Sequence, residues 1–145
     1  MSYRKHSFDR RQDMDMDLKA YFKEARGVGI LATCDPSSMV DMAIYVRPAV
    51  IDEKTIAFVM RQRLSHQNLR TNLRAAYMFI EQAEPQYKGL RLYLTMLREE
   101  TNTSVIEQMR RQQPWIYPDG DDSEKFLVLF NVDRIRPLVG EGYTA

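Results

Sequence analysis

The sequence predicts a mainly β fold, a single antiparallel, barrel-like sheet with helices added. Three observations lead there. Five to seven short β-rich runs recur along the 145 residues, the early ones are separated by hairpin-sized turns, and helical patterns are inserted between the later ones. A chain of this length is about one domain long and buries a real core, roughly 70% of its unfolded surface.

Residues 1–14 are polar and mixed in charge and read as an N-terminal tail or arm, leaving 15–145 as the domain. Asp15 or Asp17 caps a first helix, in which Leu18, Tyr21, Phe22 and Ala25 follow an i, i+3, i+4, i+7 spacing that ends near Gly27. Gly27 and Gly29 lead into Ile30, Leu31 and Ala32, a strand that stops at the turn-rich DPSS of 35–38. Val40, Met42, Ile44 and Val46 then alternate with Asp41, Ala43 and Tyr45, the period-two pattern of a strand with one buried face. After Pro48 the run AVI continues it to a second turn at 52–54, so 40–51 pairs with TIAFVM at 55–60.

LSHQNLRTNL (64–73) reads as a short helix and AAYMFIE (75–81) as the next strand; Pro85 and Gly89 bracket a loop. KGLRLYLTMLREE (88–100) alternates as a long strand whose partner comes late. Ser104 with Glu107 forms a capping box for a helix from 104 to about 113, with Val105, Ile106 and Met109 on one side and Pro114 as its stop. The run from Phe126 to Val132 is apolar enough to lie deep in the sheet.

Composition narrows the function. Lys and Arg total 21 against 20 for Asp and Glu, so no bulk charge draws a nucleic acid or a membrane, and any positive site is local. Cys34 is the only cysteine, which excludes an intrachain disulfide and a multi-cysteine zinc site; at the end of a strand it reads as a buried structural thiol. His6 and His66 lie far apart without metal-binding spacing, so no metal is expected, and a lone histidine at a helix start reads as exposed. With no signal sequence and no apolar run near the eighteen or so residues of a span, the expectation is a soluble, cytoplasmic protein. Asp35, Asp41 and the cluster from Asp119 to Asp122 are explained by turns; Tyr87, Trp115 and Tyr117 either pack on a flat ligand or cover the core or a subunit contact.

The strongest local feature is the corner after TIAFVM. Arg61 and Arg63 leave the strand and Ser65 is placed to cap the following helix, whose first free N–H groups then open beside two guanidiniums. Such a corner takes phosphate through the amides, the helix dipole and forked arginine hydrogen bonds, and Arg47 at the end of the preceding strand reaches the same place. The pattern alone leaves a solvated turn before an ordinary surface helix equally open.

The order of these parts resembles a known family. A G-x-G-x-L-A-T strand, a turn, a strand ending in Arg47, TIAFVM, the polar turn and then HQNLRTNLRAAYMF is similar to the FMN-binding split-barrel family related to pyridoxamine 5'-phosphate oxidase, especially its short members. The likeness covers roughly 16–135 and is densest over 27–82. It implies an antiparallel six-stranded Greek-key split β-barrel and a homodimer with FMN in grooves at the subunit interface. Pairing would also bury the apolar face of the strand at 90–97.

On the same resemblance, Arg47, Pro48, Ala49 and Val50 lie along the flavin with backbone groups meeting the ring edge. Val59 and Met60 are near the ring or ribityl chain. Arg61, Arg63, Leu64, Ser65 and Gln67 surround the phosphate, and Asn68 and Asn72 fall in the helix behind it. The oxidase's turn reads Ser-Arg-Lys where this chain has Arg63, Leu64 and Ser65, and its substrate-binding C-terminal segment has no counterpart in RPLVGEGYTA. Flavin binding is therefore implied without pyridoxamine phosphate oxidation. The readings left standing are an FMN-dependent oxidoreductase or electron-transfer protein, a carrier or sensor of flavin, deazaflavin or haem, and a nucleic-acid-binding barrel using 61–74, which the near-neutral charge disfavours.

Overall fold

The structure, a computed structural model, describes residues 15–82, 86–113 and 124–140. The expected tail at 1–14, His6, Pro85, Pro114, Trp115, Tyr117 and the aspartates at 119–122 lie outside the described residues. Among the described residues no helix is long and apolar enough to cross a membrane.

The first helix, α1 (Leu18–Glu24), is capped by Asp17, whose carboxylate accepts the Ala20 N–H at 3.1 Å. It stops short of the expected Gly27, because Ala25 is already extended and Gly27 opens β1 (Gly27–Cys34). Asp35 shapes the turn into β2 (Val40–Ile44) by accepting from the N–H groups of Ser37 and Met39 at 2.8 and 3.0 Å. Then follow β3 (Ala49–Asp52), β4 (Thr55–Arg61), α2 (Leu64–Thr71), β5 (Arg74–Glu81), β6 (Gly89–Glu100), α3 (Thr103–Gln112) and β7 (Lys125–Pro137). The seven strands of the described residues lie in one antiparallel, unclosed sheet in the order β2-β1-β5-β6-β7-β4-β3.

The count differs from the six implied by resemblance because the run 40–51 is two strands. The segment Tyr45–Pro48 carries the chain from one edge of the sheet to the other, so β2 pairs with β1 and only β3 pairs with β4. Pro48 has no N–H for a ladder and holds Arg47 in an extended conformation, which breaks the run there. This strap spans at most roughly 17 Å between Ile44 and Ala49, so the sheet must curl until its edges nearly meet. Tyr77 ties the strap down from inside the barrel, its hydroxyl lying 3.1 Å from the Tyr45 carbonyl oxygen and 3.2 Å from that of Val46. Gly29 leaves room for it: a Cβ there would collide with the Tyr77 hydroxyl and the Tyr45 carbonyl.

The interior is filled by alternate residues of the central strands. Ile56, Phe58 and Met60 of β4 meet Phe126, Val128 and Phe130 of β7, with the Phe58 ring 4.9 Å from Tyr77 and 6.0 Å from Phe130. Leu18 and Phe22 of α1 join this core. The opposite face of the same strands is covered too, since Ala57, Val59, Leu127 and Leu129 pack with Ala49 under Val105, Ile106 and Met109 of α3. That double cover explains the unbroken apolar run of β7. Asn102, one position before the helix, caps α3 in place of the expected Ser104, accepting the Ser104 N–H at 2.9 Å. With Thr103 already helical, Ser104 falls inside the first turn.

Two expectations about apolar faces are reversed. Leu90, Leu92 and Leu94 of β6 are buried in the chain's own core and need no second subunit to cover them. On β2, by contrast, Val40, Met42 and Ile44 are exposed by 74 to 78%, and Val46 of the strap is also open. Among the described residues nothing covers the outer side of that edge strand; its companion residues Asp41, Ala43 and Tyr45 are the half-buried ones.

Candidate functional site

The corner between β4 and α2 is tight: the Arg63 N–H donates to the Arg61 carbonyl at 2.8 Å, and Arg63 takes the N-cap position in an extended conformation. Its side chain makes no capping hydrogen bond. The first-turn amides of α2 therefore keep their donor capacity, with two guanidiniums adjacent in sequence, the arrangement that favours an anion.

Ser65 is not the cap. It lies one residue inside α2, 3% exposed, and its hydroxyl hydrogen-bonds the Tyr45 phenol. Burial raises the Tyr45 pKa, opposed by that bond and by the charge of Arg63. Tyr45 thus joins the strap to the corner, a role that its place in the polar half of the 40–46 alternation hinted at. The alternation was readable, but which half faces inward depends on which neighbours cover the strand.

A groove of about 490 Å³ opens between this corner and the β2 edge. One wall is Asp41, Ala43, Ile44 and Tyr45; the other is Val59, Arg61 and the segment Arg63–Ser65. Of the residues singled out in the sequence, Val59, Arg61, Arg63, Leu64 and Ser65 are brought together here. Gln67 lies round the helix, lining a second groove with Gln62, His66 and Arg70. Arg47 turns toward α1, where a guanidinium N–H donates to the Phe22 carbonyl at 2.7 Å, and burial together with nearby Arg26 lowers its pKa. Pro48 lies in the strap. Met60 and Val50 point into the barrel and Ala49 lies under α3, so these three can meet a ligand only through their backbones.

His66 departs furthest from its expectation of exposure. It is 1% exposed, its ring stacks on Phe126 at 4.1 Å, and Nε2 lies 2.6 Å from a carboxylate oxygen of Glu99 on β6. Arg70 approaches the other Glu99 oxygen at 3.9 Å. Two residues on, the Asn68 amide donates to the Thr33 hydroxyl at 3.0 Å, both side chains buried. These two attachments hold the start of α2 rigid, so its amides are presented in a fixed direction. Glu99 is 33 residues from His66, which is why no local pattern revealed the pair. Cys34 is half-buried rather than buried, its thiol 3.4 Å from the Asp35 carbonyl.

No protein-family model matches the chain, and no curated protein matches it in sequence. Solved structures do match. An FMN-binding protein from Syntrophomonas wolfei aligns with a TM-score of 0.65 at 15% identity, covering 91% of this chain and 89% of its own. An F420 reductase aligns with a TM-score of 0.62 at 12% identity over 79% and 93%, and a FAD-binding protein from Mesorhizobium loti with 0.57 at 14% over 80% and 88%. At these identities the likeness is one of fold: the chain has the split-barrel fold seen in FMN-binding, FAD-binding and pyridoxamine 5'-phosphate oxidase-like proteins.

Proposed function

We propose that this protein binds FMN, with the phosphate at the β4–α2 corner, and that it serves as a flavin-dependent oxidoreductase or electron-transfer protein acting on a substrate still to be identified. The observation that carries the proposal is the uncapped first turn of α2, opening beside Arg61 and Arg63 onto the groove walled by Val59 and Ile44. The residues present fit a phosphate monoester on an apolar tail. Two guanidiniums and the first-turn amides match the anion, Ser65 lies at the same groove, and the Val50 backbone edge, held by Gln113, is the part of 47–50 that would meet the ring edge. Bound flavin would itself supply the hydride or electron chemistry. The chain's part is to position the ring and shield it from water; Arg47 would have to leave the Phe22 carbonyl to bring its charge near the end of the ring that becomes anionic on reduction.

The same reading makes the protein a cytoplasmic homodimer with the flavin at the subunit interface. The exposed Val40, Met42 and Ile44 supply an apolar surface for the second copy. It also makes β2 and β3 two halves of one strand in a six-stranded Greek-key barrel. A second reading, a carrier or sensor of flavin, deazaflavin or haem without turnover, is favoured by one feature: among the described residues Asp41 is the only carboxylate lining the groove.

The absorption spectrum of the protein as isolated, with mass identification of what it releases on denaturation, is the direct test. Flavin bands and FMN are expected, and bleaching by NAD(P)H separates the oxidoreductase from the carrier. Arg63→Ala and Ser65→Ala are each expected to weaken FMN binding by about 1–3 kcal/mol. Unchanged affinity in both sinks the phosphate corner.

A further inference from the structure

The edge strand β3 is closed by a side chain that imitates a ring. Val50 pairs with Ile56 across β3 and β4, and its amide groups turn outward to Gln113. Gln113 Oε1 accepts the Val50 N–H at 3.1 Å, and Gln113 Nε2 donates to the Val50 carbonyl at 3.4 Å. Gln113 is 9% exposed and held in place by its own N–H, which donates to Met109 O at 2.9 Å as the last bond of α3. Beside it, Val105, Ile106 and Met109 lie on Ala49, Ala57 and Val59, a floor built of small side chains.

A planar amide on the Val50 backbone and an apolar layer over Ala49 and Ala57 is also what a flat heterocycle bearing an O=C–N–H edge would present. The pyrimidine end of a flavin carries that edge. We propose that α3 and Gln113 form an internal plug on the Val50 edge, standing in for the cyclic-imide end of the ring, which displaces the Gln113 carboxamide on binding. The inference rests on the flavin reading above, which brings the ring edge to the backbone of residues 47–50. One donor–acceptor pair replaces another, so the exchange leaves no backbone group unsatisfied. The plug is lightly seated, since Ile106 is the only buried side chain of α3, and elements with few buried contacts are those that open locally.

The test is FMN titration by quenching of flavin fluorescence, on wild type and on Gln113→Ala, with amide hydrogen exchange at Val50. Removing the competitor is expected to tighten FMN binding roughly ten-fold, the worth of one or two net hydrogen bonds. Without ligand, the Val50 amide should exchange slowly in wild type and fast in the variant; with FMN it should be protected in both. Gln113→Glu sets an oxygen against the Val50 carbonyl while keeping the side-chain length, and should also tighten binding, which covers a failure of the alanine variant to fold. Equal or weaker binding by folded variants of a wild type that does bind FMN overturns the plug and leaves the flavin reading standing. If neither wild type nor variants bind FMN, the flavin reading fails and the plug with it.

Discussion

The two edges of the open sheet receive opposite treatment. At the β3 edge Ala49 and Val50 are buried, the outward amides of Val50 are engaged by Gln113, and α3 packs over the strand. At the β2 edge Val40, Met42 and Ile44 stand almost fully in solvent. The apolar surface runs on in register from Ile44 to Ile30 of β1 and Met78 of β5, the last 37% exposed. An edge strand with an open apolar face is a liability that proteins cover or pair. The described residues finish one edge and leave the outer side of the other open, the surface on which the proposed second copy would sit. Period-two alternation therefore signals two unlike faces, without saying which of them the described chain covers.

The strap between those edges is where the contrast can be broken most severely. Gly29→Ala places a methyl group against the Tyr77 hydroxyl and the Tyr45 carbonyl, both parts of the strap's anchorage. Loss of about 3 kcal/mol or more is expected in urea unfolding, since neither neighbour can yield without detaching the strap. A change below about 0.5 kcal/mol would show that the edges are held together by other means.

Next in size is the open edge. Met42→Asp combined with Ile44→Asp is expected to turn a dimer into a monomer in light scattering, with circular dichroism and the urea midpoint of the monomer unchanged. Each apolar side chain buried at such an interface is worth roughly 1.5–3 kcal/mol. A wild type that is already monomeric, or a variant of unchanged mass, removes the second molecule from the comparison.

The smallest effect concerns Tyr77. Burial raises the pKa values of Tyr21, Tyr45 and Tyr77; for Tyr21 the hydrogen bond to Glu81 at 2.8 Å adds to it. Their folded-state values lie above the unfolded value of about 10, so the stability they contribute is fully present below pH 10 and declines as pH rises beyond it. Tyr77→Phe is expected to cost about 1 kcal/mol at neutral pH and to flatten that alkaline decline. Urea midpoints measured from pH 8 to 11 report both, and an equally steep decline in the variant would mean that Tyr77 does not titrate on unfolding.

Much of this was legible in the sequence, and the failures share a cause. The runs that became β4, β5, β6 and β7 were readable because strand-period patterns and β-branched residues are local properties. The corner with Arg61 and Arg63 was readable for the same reason. What depends on distant residues was not: the burial of His66 against Glu99 and Phe126 and the closing of Val50 by Gln113 rest on partners at least 30 positions away, and the outward face of β2 rests on what packs against the strand rather than on its own pattern. Cap positions at Ser65 and Ser104 were each missed by two residues, because several polar side chains lie within reach of each helix start.

The sheet order has a consequence for how the molecule comes to be made. β7, the latest of the seven strands, is inserted between β6 and the β3–β4 hairpin. Until residues 125–137 leave the ribosome, the hairpin has no neighbour to zip onto and its inward side chains wait uncovered. Assembly is thus paced by a contact between early and late segments, and topologies dominated by such non-local pairing fold on the order of milliseconds to seconds rather than microseconds.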